Sequence, residues 1–242
     1  MIAVQLTMPV QYTLPVQFQR QSDLASLWVG PSHAPVFHGV QHLLNNHVSP
    51  LIMWGPASSG KSHVLHATCQ QASEQGLRVG YLPWKEIISG GPTVLEDLDI
   101  LDLLIWDDFD TFFNSTSLQA QWEEALFHTF NRLHEKGGVL VIASRTPPRE
   151  WTIGLQDLYS RLLSGPVYHL RALTDDEKIK VLMHRANQRG LLLSESVGSF
   201  LLRRLSRDLH VLCQALQELD RCSLQQQRRI TIPFVKEVLE AF

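Results

Sequence analysis

With 242 residues, 44% of them hydrophobic and 19% charged, the chain has enough apolar material for one large domain or for a large and a small one. Its 21 basic and 24 acidic side chains leave a formal net charge of -3, so nothing in the balance demands direct contact with nucleic acid, and no stretch reaches the ~20 apolar residues that span a bilayer. Three cysteines without a C-x-x-C pair form neither a disulfide framework nor a zinc site, and the first residues lack the basic region and apolar run of a signal peptide, so a cytoplasmic, reducing compartment without a membrane is expected.

In chain order the first feature is a near-repeat, QLTMPV at 5–10 and QYTLPV at 11–16. Each copy is short, carries a proline and precedes the first folded element. Residues 1–20 therefore read as a leader outside any core. Two histidine pairs follow, His38 with His42 and His63 with His66, at spacings that share a helix face. No H-E-x-x-H occurs and no cysteine or carboxylate completes either pair, so solvated or helix-packing roles are expected and not a metal site.

Leu51 to Trp54 is a short apolar run bounded by glycine, the pattern of a buried strand. Directly after it, Gly55, Pro56, Ala57, Ser58, Ser59, Gly60, Lys61 and Ser62 fit G-x-x-x-x-G-K-[ST] at every fixed position, and His63 opens the helix-like stretch that runs to Gly76. The glycines let backbone N–H groups turn inward around phosphates, and the helix N-terminus adds its dipole. The Lys61 ammonium then reaches the outer phosphates, and the Ser62 hydroxyl ligates magnesium.

Val79 to Leu82 is the next strand candidate. Leu103 to Trp106 is another, with Asp107 and Asp108 at its C-terminal end. Beside a phosphate loop such a pair has defined work: Asp107 holds magnesium through water, and Asp108 orients or polarises an attacking water. Leu118, Trp122, Ala125, Leu126, Phe130 and Leu133 recur at helical spacing until Gly137-Gly138 stops them. Val139 to Ala143 and Val167 to Leu170 complete about five strands interleaved with helices, which argues an α/β domain with a parallel sheet over 21–171.

From about residue 172 the pattern becomes helical. Thr174-x-x-Glu177 is a capping box opening a helix toward Gly190, and two more helices follow. One of these starts at Ser206, with Leu209, Leu212, Leu216 and Leu219 on one face, and Thr231-Ile-Pro233 starts a last one. Residues 172–242 are thus expected to form a small all-helical lid.

A P-loop α/β domain followed by a helical lid is the outline of the AAA+ ATPases. Within them the chain resembles the DnaA initiator clade, and most closely the Hda family of regulatory inactivators, over nearly its whole length. The resemblance rests on ASLWVG (25–30), DLYSRLLSG (157–165), LSRDLHVLCQALQELDR (205–221) and RRITIPFVKEVL (228–239). It implies that Arg161 is an arginine finger acting in trans on a partner, that Arg207 is the sensor 2 arginine, and that Leu24, Trp28 and Val29 flank the base. Ser144 falls where sensor 1 belongs. The initiators have an aspartate after that position; here Arg145 follows, a departure that argues against efficient hydrolysis in cis.

The same resemblance implies a bound nucleoside diphosphate, ADP, with magnesium, and the DnaA initiator as partner. It also implies docking on the DNA polymerase III β sliding clamp through a Gln-Leu-x-Leu-type segment, with DNA reached only through the clamp. Both copies of the repeat match such a segment. Gln11, Leu14 and Val16 keep the family's distance to ASLW, whereas Gln5, Leu6 and Met8 have the better Gln-Leu start. Initiators carry a DNA-binding helix-turn-helix domain after the lid; the chain ends at Phe242, so the expectation is an ATPase core reused to act on an initiator. An autonomous helicase loader and a P-loop kinase are the competing readings, and self-association is left open.

Overall fold

The structure, a computed structural model, describes residue 30 and residues 33–46, 49–114 and 118–240. The leader with both repeat copies, and the base-flanking candidates Leu24, Trp28 and Val29, lie outside the described residues. The elements run α1 (Ala34–Asn46), β1 (Leu51–Trp54), α2 (Lys61–Glu74), β2 (Val79–Pro83), α3 (Trp84–Ile87), β3 (Leu103–Asp107), α4 (Gln119–Glu135), β4 (Val139–Ser144), α5 (Gln156–Leu162) and β5 (Val167–His169). Four further helices follow: α6 (Asp175–Gln188), α7 (Glu195–Arg204), α8 (Leu209–Gln226) and α9 (Ile232–Glu240).

The five strands form one parallel sheet in the order β2-β3-β4-β1-β5. Alternate residues point to opposite faces, and both faces are buried, which explains why the central strands read as unbroken apolar runs. Leu51, Met53, Leu103, Ile105, Val139 and Val141 pack with α1 and α2 on one side. Ile52, Leu104, Trp106, Leu140 and Ile142 pack with α4 and α5 on the other. That second layer contains an aromatic knot in which Trp84 meets Trp106, Phe109, Phe112 and Trp122 with ring centroids 5.3–6.1 Å apart.

The strands end slightly later or earlier than the apolar runs indicate. Asp107 is the last residue of β3, and Ser144 the last of β4. Strand β5 stops at His169, although the Leu170 amide still donates to the Trp54 carbonyl at 2.8 Å. Helix α8 begins at Leu209 because Asp208 caps it, accepting from the His210 amide at 2.7 Å, so the start expected at Ser206 moves three residues on. Leu209 also leaves the apolar face: Leu212, Leu216 and Leu219 are buried in the lid core with Leu182, Leu201 and Phe234, and Leu209 is not.

The lid springs from β5 through Leu170 to Thr174, and a compact polar knot fixes its direction. Thr174 and Glu177 form both bonds of the capping box, and Arg171 grips the same carboxylate at 2.7 and 2.9 Å. Burial alone would raise the Glu177 pKa, but the bonds from Thr174 and Arg171 outweigh it and hold the carboxyl below its ordinary value. A depressed carboxylate adds stability that is complete above the unfolded value of about 4.3 and lost as pH falls through the folded one. Glu177→Gln is therefore expected to cost about 1.5 kcal/mol at neutral pH, the worth of hydrogen bonds to a charged group. Urea denaturation should show that gap closing as pH drops well below about 4.3; a gap independent of pH would contradict this account of the knot.

Candidate functional site

The phosphate loop joins β1 to α2 and packs so tightly on the end of β5 that residue choice is dictated. A Cβ at Gly55 would lie 2.0 Å from the Leu170 carbonyl oxygen. Ser58 and Gly60 both take left-handed backbone, with φ of 58° and 94°. Ser59 is fully buried, and its carbonyl accepts from His33 Nε2 at 2.9 Å, which ties α1 to the loop. The first N–H groups of α2 lack intrahelical partners by helix geometry, and the residues that carry them, Lys61, the exposed Ser62 and His63, line the cleft. Lys61 donates to the Gly55 and Pro56 carbonyls at 2.7 and 2.9 Å. Burial lowers its pKa, and the carboxylates of Asp107, Asp108 and Asp110 oppose that shift.

Each carboxylate of the acidic run is held by the protein. Asp107 is buried; its Oδ2 accepts from the Tyr81 hydroxyl at 2.5 Å and its Oδ1 from the Asp108 amide at 2.8 Å. Burial and then the Asp107 charge push the Tyr81 phenol far above its ordinary value, so it stays a donor. His66 stacks on the Tyr81 ring at 4.8 Å. Asp108, with φ 52°, pairs with Lys85 at 2.7 Å. Asp110 takes the Arg145 amide at 2.9 Å and its Nε at 2.8 Å. The Phe109–Asn114 turn that carries Asp110 stands on the aromatic knot, Phe109 stacking on Trp106 at 5.4 Å.

A cleft of about 550 Å³ opens between the loop and the lid, lined by Ala57, Ser58, Gly60, Lys61, Ser62 and His63 from the loop side. Asp108, Lys85, Arg145 and His66 face it from the sheet ends and α2; Arg185, Leu209, His210 and Cys213 face it from the lid. The lid touches the loop directly, for the Ser58 hydroxyl donates to Asp208 Oδ2 at 2.8 Å. Arg185 Nη2 donates to His63 Nε2 at 2.7 Å. Burial, then Arg185 and His66, drive the His63 pKa down to about 3, so its imidazole is neutral.

The structure thus brings the loop, Lys61, Ser62, His63 and the Asp107–Asp108 pair together, as their spacing indicates. Ser144 ends β4 beside the loop, its carbonyl accepting from the Gly55 amide at 3.1 Å, while its buried hydroxyl accepts from the Thr146 amide at 3.2 Å and from Trp151 Nε1 at 3.3 Å. Two residues named from the resemblance stand outside the cleft. The Arg207 side chain is 74% exposed and 3.7 Å from Asp175, and is not among the cleft-lining residues. Arg161 is exposed on α5, also outside the cleft, with its guanidinium 5.1 Å above the Phe127 ring. The start of α5 is pinned by the buried Glu123, which accepts from the Gly154 and Leu155 amides at 3.0 and 2.7 Å. Arg185, Lys85 and Tyr81 carry no signal in the sequence, because no motif marks a basic residue on a helix or a tyrosine in a neighbouring strand.

Comparison with known proteins gives two family matches. The model of the bacterial DnaA ATPase domain matches residues 29–168, and that of the Hda lid domain matches 175–239. Among solved structures, domain III of the Thermotoga maritima replication initiation protein DnaA superposes with a TM-score of 0.73 at 21% identity, covering 92% of this chain and 97% of that one. AMPPCP-bound DnaA from Aquifex aeolicus gives 0.66 at 21% identity, with 83% of this chain and 65% of that chain covered. The RuvB Holliday junction branch migration motor of Thermotoga maritima gives 0.64 at 14%, covering 93% of this chain and 73% of that one. At these identities the likeness is one of fold, a DnaA domain III-like AAA+ architecture. Among the described residues no helix is long and apolar enough to cross a membrane.

The loop geometry makes a sharp demand on glycine. Gly55→Ala is expected to destabilise the protein by about 3 kcal/mol, the upper range for overpacking, because the clash is with backbone and not with a flexible side chain. Gly90, with nothing within 4 Å of its Cβ position, is the control. Gly90→Ala should stay within about 0.5 kcal/mol of the parent. Thermal melts of both variants test this, and equal stabilities would contradict the contact with Leu170.

Proposed function

The chain belongs to the bacterial DnaA ATPase family and carries a lid of the Hda type, and from that membership we propose that it is a nucleotide-bound regulator of the replication initiator. In this reading the Gly55–Ser62 loop holds a nucleoside diphosphate, ADP, and the protein stimulates hydrolysis of ATP on a DnaA molecule packed against it. The donors fit such a ligand: inward N–H groups, the Lys61 ammonium and an exposed Ser62 hydroxyl at a helix N-terminus. Magnesium would be held by Ser62 and, through water, by Asp107, where it neutralises phosphate charge. Residues 21–171 would be the nucleotide-binding domain and 172–242 the lid.

The observation that carries the reading is the place of Arg161. It is exposed, outside its own cleft, on a helix anchored by the buried Glu123 carboxylate and steadied by the Phe127 face. An arginine that serves its own nucleotide belongs in its own cleft. One presented outward on a fixed helix suits the developing charge on a partner's phosphate, a role worth about 10³–10⁵ in rate elsewhere. Weak turnover in cis accompanies this. Asp107 is occupied by Tyr81 and by its own neighbour's amide, and Arg145, tied to Asp110, stands where the initiators have an acid.

The leader completes the proposal as a tether to the sliding clamp, through Gln11, Leu14 and Val16 or the alternative Gln5, Leu6 and Met8. A short peptide with a polar anchor and a few apolar side chains can dock in a preformed groove at an ordering cost that proline lowers. Regulation of this kind would prevent re-initiation, in the cytoplasm.

Two assays test the proposal. Arg161→Ala should keep fold and ADP affinity but lose about 10³-fold or more of the stimulation of initiator ATPase in single-turnover measurements. Loss of local nucleotide affinity with stimulation intact would make Arg161 a residue of its own site, and rapid turnover by the chain alone would favour an autonomous ATPase. For the tether, alanine at Gln11 and Leu14 should weaken clamp binding sharply in surface plasmon resonance, with Gln5 and Leu6 mattering less; indifference to both pairs would remove the clamp from the account.

A further inference from the structure

Four cations line the cleft, and three of them are engaged by oxygen acceptors of the protein. Lys61 donates to two loop carbonyls, Lys85 pairs with Asp108 at 2.7 Å, and Arg145 pairs with Asp110 at 2.8 Å. Arg185 is different. Its guanidinium donates to the neutral His63 ring at 2.7 Å, and its charge opposes the burial that raises the Cys213 thiol. Among the described residues it takes part in none of the ion pairs, although neighbouring lid arginines do: Arg189 with Asp220, and Arg207 with Asp175.

We propose that Arg185 is a nucleotide ligand carried by the lid, which closes on the phosphates held by the Gly55–Ser62 loop. The inference rests on the nucleotide reading of that loop. His63 follows Ser62 in the first turn of α2, where N–H groups point at the phosphate position, so it parks Arg185 beside that position. A neutral imidazole is a weaker acceptor for a guanidinium than an anion; a phosphate oxygen forms a shorter, charge-assisted bond and matches the planar fork. Exchange of partners then favours nucleotide without removing a carboxylate from its cation.

The competing lid residue is Arg207, and its surroundings argue against it in this arrangement. Its side chain is turned outward to Asp175. The start of α8 instead offers the loop a carboxylate, Asp208, which bonds Ser58 and caps the helix at once. The Ser58, Asp208 and His210 contacts keep the α8 end close to the loop, and Arg185 comes from α6 beneath it. Nucleotide affinity is thereby coupled to lid closure through α6, because the ligand group and the loop belong to different units.

The test is calorimetric titration of the full chain with ADP. Arg185→Ala should bind on the order of 10–100-fold more weakly, the worth of one charge-assisted hydrogen bond to phosphate. Arg185→Lys should recover part of that loss, and Arg207→Ala should stay within about twofold, since an exposed ion pair contributes little. Raising salt should weaken the parent more than Arg185→Ala, a response that a packing role alone would not produce. Thermal melts check folding, and Arg185→Gln replaces the alanine variant if that one does not fold. Undiminished ADP affinity in Arg185→Ala or Arg185→Gln, or a loss in Arg207→Ala in its place, overturns the inference. Undiminished affinity in Lys61→Ala would overturn the nucleotide reading beneath it instead.

Discussion

The contact between Gly55 and the Leu170 carbonyl is the constraint on which the rest depends. It places the phosphate loop directly on the end of β5, and only a residue without a side chain permits that approach. The same β5 end is where the lid begins. Four residues beyond Leu170, Thr174 caps α6, and the Arg171–Glu177 pair fixes the angle at which that helix departs. Loop and lid therefore share one short hinge, and the lid residues that face the cleft, Arg185 on α6 and Leu209, His210 and Cys213 on α8, inherit their positions from it. Sheet order does the remaining placement. With β1 between β4 and β5, and β3 beside β4, the loop and the acidic run emerge at the same end of the sheet.

On the proposed reading, the electrostatics of the cleft suit holding a nucleotide better than cleaving it. Tyr81 bonds the Asp107 carboxylate, Lys85 pairs with Asp108, and Arg145 with Asp110. Every acid of the run already has a donor. Those donors add positive charge or hydrogen bonds where hydrolysis in cis would need a free carboxylate to orient water. Arg161, the arginine proposed to meet a partner's transition-state charge, is exposed on a helix whose start bonds Glu123, with its guanidinium over the Phe127 ring. A chemistry split between two proteins is the division of labour proposed above, with this chain contributing the cation and the initiator contributing the phosphate.

Much of this was legible in the residues themselves. The P-loop pattern, the apolar run ending in two acids and the capping box each combine a local propensity with a fixed spacing, and each appears where its spacing puts it. The resemblance to the Hda family is matched by the two family models. Less legible were features made by the fold and not by neighbours in sequence. Tyr81 meets Asp107 because β2 and β3 are adjacent and in register, and Arg185 meets His63 because the lid folds back 122 residues later. Leu209 fits the apolar stripe of α8 by spacing, but the Asp208 cap puts it on the first turn, facing the cleft. Arg207 lies in a motif that implies a cleft role, yet its side chain reaches Asp175. A motif specifies a position on a helix; which partner the side chain meets depends on how the helices close.

The most direct measurement follows the cleaved phosphate to its owner. Initiator loaded with γ-labelled ATP is mixed with this protein carrying unlabelled ADP, on clamp-loaded DNA, and release of labelled phosphate is timed. Rapid release from the initiator's nucleotide is expected only in the mixture, with ADP on this chain sufficient. Release at the initiator's own slow rate, or acceleration only when this chain carries a hydrolysable triphosphate, would contradict it.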